Sequence, residues 1–332
     1  MALTAERERP LVALVGPTAV GKTAVGIALA KRLGGEIISA DAVAVYRGPD
    51  IGAAKPTLSE RAEVPFHLID VVSPAEDFTV TDFSRLAEEA ISAIRGRGRW
   101  PIVVGGTGLY VRAVTATLTV PNVPPQPEIR AELQAESDAF GSAVLHARLG
   151  AIDPAAAARI LPGDAKRIIR ALEVYRVTGR PFSSFHTPEG VHGVPRPNTW
   201  QFGLRMDRSQ LYARIEARVD AMLAAGFEDE VRGLLAAGFD PGLKALQSLG
   251  YRHLGRYVLG ETDFETAVTE LKRDTRRYAR RQMIWFQADP NIVWYDRSVP
   301  SGERVSAGSG SGDEALAEAI AERLTGGAGY AG

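Results

Sequence analysis

Gly16-Pro17-Thr18-Ala19-Val20-Gly21-Lys22-Thr23 decides the reading of this chain. The spacing is G-x-x-x-x-G-K-[ST], a glycine-rich turn whose backbone N–H groups wrap a polyphosphate, with a lysine on the outer phosphates and a hydroxyl for Mg²⁺. Its flanks fit that mechanism. Leu11 to Val15 is a short apolar, β-branched run that predicts a buried strand, and Ala24 to Leu33 predicts a helix. Lys22 is thus the candidate phosphate cation and Thr23 the candidate Mg²⁺ ligand. The motif alone leaves open whether a diphosphate or a triphosphate is held.

The chain then continues as alternating strands and helices. Glu36 to Ala40 predicts a second strand that delivers Asp41 to its carboxyl end, the edge where open α/β sheets bind ligands. Asp41 to Pro56 is a polar, glycine-rich loop over that edge, and Phe66 to Val72 predicts a third strand. Asp82 to Ile94 has helical periodicity, and Pro101 to Val104 is a further strand that runs into Gly105-Gly106-Thr107-Gly108. The order predicts a doubly wound α/β fold, a P-loop-type parallel sheet flanked by helices.

At Pro121 the pattern changes. Residues 121–198 predict no strand and four helices: Glu128 to Ser137, Ser142 to Leu149, Pro154 to Ile160 and Asp164 to Thr178. This stretch is expected to be a helical insertion in a core made of residues 1–120 and 199–298. Thr199 to Met206 predicts the return strand, Arg208 to Ala236 one long helix, and Asn291 to Tyr295 a last strand. Residues 299–332 are Gly/Ser-rich and are expected to form a mobile tail with a short helix near Asp313 to Leu324.

Composition limits the chemistry. The net charge of −1 carries no global polyanion signal, so any nucleic-acid surface has to be a local patch, and Cys 0 excludes disulfides, thiolate zinc and cysteine nucleophiles. No apolar run approaches the ~18 residues of a membrane span, and the N-terminus has no apolar signal core. A cytoplasmic protein without membrane partners, acting as a monomer, is the expectation. One patch does exist: Lys272, Arg273, Arg276, Arg277, Arg280 and Arg281 recur at helical spacing against Asp274 alone, with Tyr278, Trp285 and Phe286 beside them. Such a stripe is either an RNA phosphate track or a solvated face paired with acids on a neighbouring helix. Two carboxylates are similarly open: Asp41 reads as a base or as a helix cap or loop anchor, and Asp70 as an outer-sphere carboxylate near the metal or as a loop or capping carboxylate.

Beyond these readings, the sequence closely resembles the tRNA dimethylallyltransferases. The resemblance is carried by Gly16 to Thr23, Ile38-Ser39-Ala40-Asp41, Tyr46 to Pro56 and Gly105-Gly106-Thr107-Gly108-Leu109-Tyr110. It continues through Arg167 to Gly179, Gly226-Phe227 with Glu230-Val231, Gln247 to Arg252, and Arg276 to Phe286. It implies transfer of a dimethylallyl group from dimethylallyl diphosphate to N6 of the adenosine immediately 3′ of the anticodon in tRNA, releasing pyrophosphate, with Mg²⁺ as cofactor. The glycine-rich turn is then a diphosphate site, Asp41 a general base, and Thr18, Lys22 and Arg218 its catalytic companions. On the tRNA side the resemblance implies Asp41, Ala42, Val43, Ala44, Thr107, Arg130, Lys166, Arg167, Ile168, Ile169, Arg170, Gln247, Gly250, Tyr251, Arg252, Arg276, Arg280, Arg281, Gln282 and Trp285. The helical insertion would close on the anticodon stem. The chain departs from the pattern at Ala42 and Ala44, where Ser and Gln are frequent, and at Ile284 and Gln287, where Thr and a basic residue are common. The absence of cysteines fits the bacterial form. Without the resemblance, a small-molecule P-loop kinase would share the same loop, metal and aspartate.

Overall fold

The computed structural model describes residues 8–117, 121, 123–185, 193–298 and 312–326. Two compact units are formed, one from residues 1–115 and 196–332, the other from residues 116–195. The division thus falls a few residues earlier at each junction than the composition change suggested.

The larger unit is built on a six-stranded sheet. Its strands are β1 (Leu11–Val15), β2 (Gly35–Ala40), β3 (Phe66–His67), β4 (Trp100–Gly105), β7 (Thr199–Arg205) and β8 (Ile292–Asp296), in the spatial order β3-β2-β4-β1-β7-β8. Every pairing is parallel. Parallel strands covered on both faces are apolar throughout, as β1 is: all of Leu11 to Val15 is buried. β4 lies between β1 and β2, so Asp41 stands two strands from the glycine-rich turn. The loops after β1, β2 and β4 meet at one carboxyl edge.

Helices α1 (Lys22–Leu33), α2 (Leu58–Glu63), α3 (Val80–Gly96) and α4 (Gly108–Thr115) connect the first strands. The smaller unit holds α5 (Pro127–Phe140), α6 (Ser142–Ile152), α7 (Pro154–Ala157) and α8 (Ala165–Thr178) around Leu133, Leu145, Leu149, Ile168, Ile169 and Leu172. It also has a short ribbon in which β5 (Ala116–Thr117) pairs antiparallel with β6 (Val194–Pro195), a strand the sequence reading did not foresee. After β7 come α9 (Arg208–Ala224), α10 (Phe227–Ala236), α11 (Tyr251–Val258), α12 (Phe264–Gln287) and, beyond β8, α13 (Gly312–Thr325).

Three expectations are corrected. The helix expected from Arg208 to Ala236 is broken at Gly226, whose φ of 94° ends α9 and lets the fully buried Phe227 open α10. The third strand stops at His67 because Leu68 and Asp70 take positive φ values of 61° and 59°. Both Asp70 oxygens are held by cations, Oδ1 by Lys55 at 2.5 Å and Oδ2 by Arg61 at 2.8 Å, so this carboxylate latches the loop. The third correction concerns the tail. α13 buries Leu316, Ala317, Ile320 and Ala321 in the cluster that contains Val25, Leu29 and Ala30 of α1, and Arg32 pairs with Glu318 at 3.2 Å. It is packed structure; the rest of the expected tail, residues 299–311 and 327–332, lies outside the described residues.

Burial of Ile320 allows a check. Ile320→Ala should lower unfolding stability by about 3 kcal/mol through lost apolar contact and a residual cavity. A change within about 0.5 kcal/mol in urea titration, as expected of a mobile surface segment, would contradict the packing of α13.

Candidate active site

The glycine-rich turn connects β1 to α1 and depends on unusual backbone angles. Gly16 has φ 146°, Gly21 φ 97°, and Ala19 a positive φ of 64°. Gly21 caps α1 without a side-chain hydrogen bond, which leaves the first-turn N–H groups of Lys22 and Thr23 for an anion. A cavity of about 270 Å³ opens over this turn, lined by Thr18, Gly21, Lys22, Thr23, Ser39, Asp41, Gly105, Gly106 and Arg218.

Positive charge dominates this cavity. Lys22 donates from Nζ to Pro17 O at 2.7 Å, and its pKa is pushed down to about 7 by burial first and by the neighbouring Arg218 second, against the pull of Asp41. Burial likewise lowers Arg218, again opposed by Asp41. On the cavity walls Lys22, Lys55 and Arg218 face Asp41 and Glu60, and because Lys55 is already tied to Asp50 and Asp70, Lys22 and Arg218 leave a site suited to an anion.

Asp41 has two faces. Its Oδ1 accepts from the backbone N–H of Val43 at 2.8 Å and Ala44 at 3.2 Å, a turn that starts the loop. The residue also lines a second cavity of about 340 Å³, with Ala42, Val43, Thr107, Met222, Phe227, Ser248, Leu249, Gly250, Leu271 and Arg281. Thr18, Asp41, Ala53, Arg218 and Tyr278 belong to the walls of both cavities. The anion site and the second cavity, whose walls mix apolar and polar side chains, therefore meet at Asp41.

The loop behind Asp41 is pinned from outside the sheet. Glu230 at the start of α10 accepts from the N–H groups of Asp50 at 2.9 Å, Ile51 at 2.7 Å and Gly52 at 3.1 Å, and from the Tyr251 hydroxyl at 2.5 Å. Lys55, almost fully buried, ties the same loop to Tyr46 O, Asp50 and Asp70.

Of the residues expected in the site, Thr18, Lys22, Thr23, Asp41 and Arg218 stand together. Ala42, Val43, Thr107, Gly250, Arg252 and Arg281 line the second cavity, and Ala44 lines the first. Others have structural work instead. Gln282 is buried; its Oε1 accepts from Thr18 N–H at 2.8 Å and its Nε2 donates to Gly106 O at 2.9 Å. Tyr251 is buried on Glu230, and Ile168 and Ile169 lie in the core of the helical unit. Arg130 and Arg170 both bind the fully buried Glu173 of that unit, whereas Lys166 and Arg167 are exposed and Arg167 pairs with Asp164. Gln247 is exposed and donates to Pro241 O at 2.9 Å. Trp285 lies under the Arg112 guanidinium at 4.8 Å and against Gly108.

The basic stripe divides in two. In its first half Lys272 pairs with Asp220 at 2.6 Å, Arg276 with Glu216 at 2.6 Å, and Arg252, Arg273 and Arg277 share Asp274. Among the described residues Arg280 and Arg281 have no acidic partner, and both are exposed. Sequence reasoning missed the roles of Tyr278 and Gln282. The phenol of Tyr278 lies beside Thr107 and Gln282, and burial, with the charge of Asp41, raises its pKa. A signal was present: on α12 the buried positions Leu271, Thr275, Ala279, Gln282 and Phe286 follow helical spacing, so a polar Gln282 on that face had to find partners inside.

A family model described as IPP transferase matches residues 44–289, and one described as isopentenyl transferase matches residues 10–65. A tRNA dimethylallyltransferase of Symbiobacterium thermophilum is 51% identical over 291 residues, 88% of this chain and 90% of its own. The chain belongs to the tRNA dimethylallyltransferase family. Family members from Roseiflexus castenholzii (50% identical, 88% of this chain, 94% of its own) agree with this. Among solved structures, the tRNA isopentenylpyrophosphate transferase of Bacillus halodurans is 41% identical, with a TM-score of 0.67 over 96% of this chain and 97% of its own. A eukaryotic dimethylallyltransferase acting on tRNA is 25% identical, with a TM-score of 0.73 over 96% of this chain and 85% of its own. The parallel α/β fold is thus the family fold. No helix among the described residues is long and apolar enough to cross a membrane.

The low pKa of Lys22 has a measurable consequence. An anion at the turn favours the charged amine and raises that pKa, so binding takes up a proton above pH 7, and affinity falls as pH rises beyond that value. Calorimetric titration with inorganic pyrophosphate in buffers of different ionisation enthalpy should show net uptake at pH 8. Lys22→Met should remove that uptake; an unchanged proton count would rule out Lys22 as its source.

Proposed function

We propose that this chain transfers the dimethylallyl group of dimethylallyl diphosphate to N6 of the adenosine immediately 3′ of the anticodon in tRNA. The observation that carries the reading is the position of Asp41, shared between an anion cavity and a second cavity of mixed apolar and polar walls. The donor's diphosphate would occupy the first, and the flipped base the second, stacked against apolar side chains such as Met222 and Phe227.

The reaction then needs two charges managed at once. The allylic C–O bond breaks and its electron pair leaves with the diphosphate, where the P-loop amides, Lys22 and Arg218 stabilise the growing negative charge. The adenine N6 supplies the electrons of the new C–N bond. Its lone pair is delocalised into the ring, so attack is assisted when a proton passes from N6 to the second oxygen of Asp41, since Oδ1 is held by the loop amides. Thr18 supports the same centre. The Thr23 hydroxyl, on the wall of the anion cavity, would hold a Mg²⁺ ion together with oxygens of the donor. Such an ion, when bound, supplies positive charge to the leaving group. Anticodon-loop phosphates would contact Arg280 and Arg281, and the exposed Lys166 and Arg167 of the helical unit offer further cations.

The direct test is incubation with dimethylallyl diphosphate, Mg²⁺ and unmodified tRNA, followed by mass spectrometry of the nucleosides. One added C5 unit on the expected adenosine is the predicted result. ATP-dependent phosphoryl transfer in a parallel reaction would favour a kinase instead. Asp41→Ala should lower the rate of transfer at least ~100-fold with tRNA binding retained. Loss of tRNA binding with normal turnover of what is bound would remove Asp41 from the chemistry.

The split stripe refines the RNA surface. Replacing Arg280 and Arg281 together with Ala should reduce the slope of log affinity against log salt for tRNA by about 1 to 2. Arg276→Ala, which already spends its charge on Glu216, should leave that slope nearly unchanged. Equal effects from both changes would contradict the assignment.

A further inference from the structure

Arg297 follows β8 directly, and its backbone N–H extends the sheet by donating to Arg205 O at 2.8 Å. Its side chain is largely buried and turns to the P-loop. Nη1 donates to Val20 O at 3.0 Å and to Gly21 O at 3.4 Å. Nη2 pairs with Asp313 Oδ1 at 2.5 Å, at the start of α13. Gly21 has no side chain where this guanidinium passes; a Cβ there would collide with it.

These contacts determine a direction. The two carbonyls that Arg297 engages belong to the peptide units whose N–H groups are those of Gly21 and Lys22. The described peptide bonds are all trans, and in a planar trans unit the N–H points opposite the C=O. Fixing the carbonyls on Arg297 therefore turns those N–H groups away from it. They are donors of the anion cradle. The guanidinium also places positive charge close to the start of α1, where an anion is already favoured. Arg297 is in turn held by a helix that packs its apolar side on α1, so turn, arginine and C-terminal helix form one braced unit.

We propose that Arg297, anchored by Asp313 of the C-terminal helix, is a positioning residue for the diphosphate cradle. This rests on reading Gly16 to Thr23 as the diphosphate site. The arginine does not touch the ligand; it holds the amides that do.

The test is calorimetric titration of inorganic pyrophosphate with Mg²⁺ into the full chain, run well below each variant's melting temperature. Arg297→Gln should weaken binding about tenfold, and Arg297→Lys, which keeps charge and a donor, should recover most of that loss. Asp313→Asn, a partly exposed change that leaves the packed face of α13 intact, should cost about threefold, and the double variant Arg297→Gln with Asp313→Asn should bind no worse than Arg297→Gln alone. tRNA binding without pyrophosphate should not move. Wild-type pyrophosphate affinity in Arg297→Gln, or full additivity in the double variant, would overturn the proposal. Failure of the wild-type chain to bind pyrophosphate would instead overturn the diphosphate reading, and the role of Arg297 with it.

Discussion

The amide of Gln282 is the interaction on which the site depends. Its oxygen takes the N–H of Thr18 in the loop after β1, and its nitrogen gives to the carbonyl of Gly106 in the loop after β4. The second bond is buried and the first partly so. A buried amide left without partners costs about 1 to 3 kcal/mol per group, so the three segments are fixed together or not at all. Through this side chain the long helix α12 is registered against the sheet edge. Tyr278, one turn earlier on α12, thereby arrives beside Thr107 and Asp41, and Arg280 and Arg281 reach the outside of the same site. The close seating also explains two small residues. At Gly106 a Cβ would strike the Gln282 amide, and at Gly108 it would strike the ring of Trp285.

A second constraint works on the loop after β2. Asp41 begins a long segment of turns with little ladder bonding of its own, and such a segment would be mobile if left alone. Glu230 gathers three of its N–H groups, and Lys55 gathers a carbonyl and two carboxylates. Both anchors are ionised groups in partly buried surroundings, where hydrogen bonds to charge are strong. The result is a carboxylate held by one oxygen and open at the other. Anchor and base, the two readings that position alone could not separate for Asp41, are compatible because they use different oxygens.

What the sequence disclosed follows from how far each signal reaches. The β1 run, the P-loop and the Gly105-Gly106 turn are local patterns, and periodicity and glycine spacing were enough to locate them. Arg280 and Arg281 were also legible as cations. Their difference from Lys272 and Arg276 was not, because it is made by Asp220 and Glu216 on α9, some fifty residues away in the chain. The same holds for Asp70, whose place at a strand end left its role open and whose partners Lys55 and Arg61 are set by a loop with left-handed residues at 68 and 70. α13 looked like part of a Gly/Ser-rich tail, since its hydrophobic stripe of Ala and a few larger residues is weak until α1 is beside it.

The electrostatics of the ligand-free site carry the last step. Lys22 and Arg218 lie close enough that each disfavours the charge of the other, and Asp41 offsets the pair only in part. Their proximity costs free energy in the empty protein, and the other carboxylate on the cavity wall, Glu60, is engaged by Thr57. In the proposed reaction a diphosphate would relieve the conflict on binding, and more so as the ester oxygen that carried the allyl group gains charge. The interaction would then grow along the reaction coordinate, the condition under which binding energy lowers a barrier and does not merely deepen the ground state. Asp41 moderates the two cations in the empty site, and in the proposed reaction it would take the complementary role, accepting the proton that the amine has to lose once phosphate satisfies them.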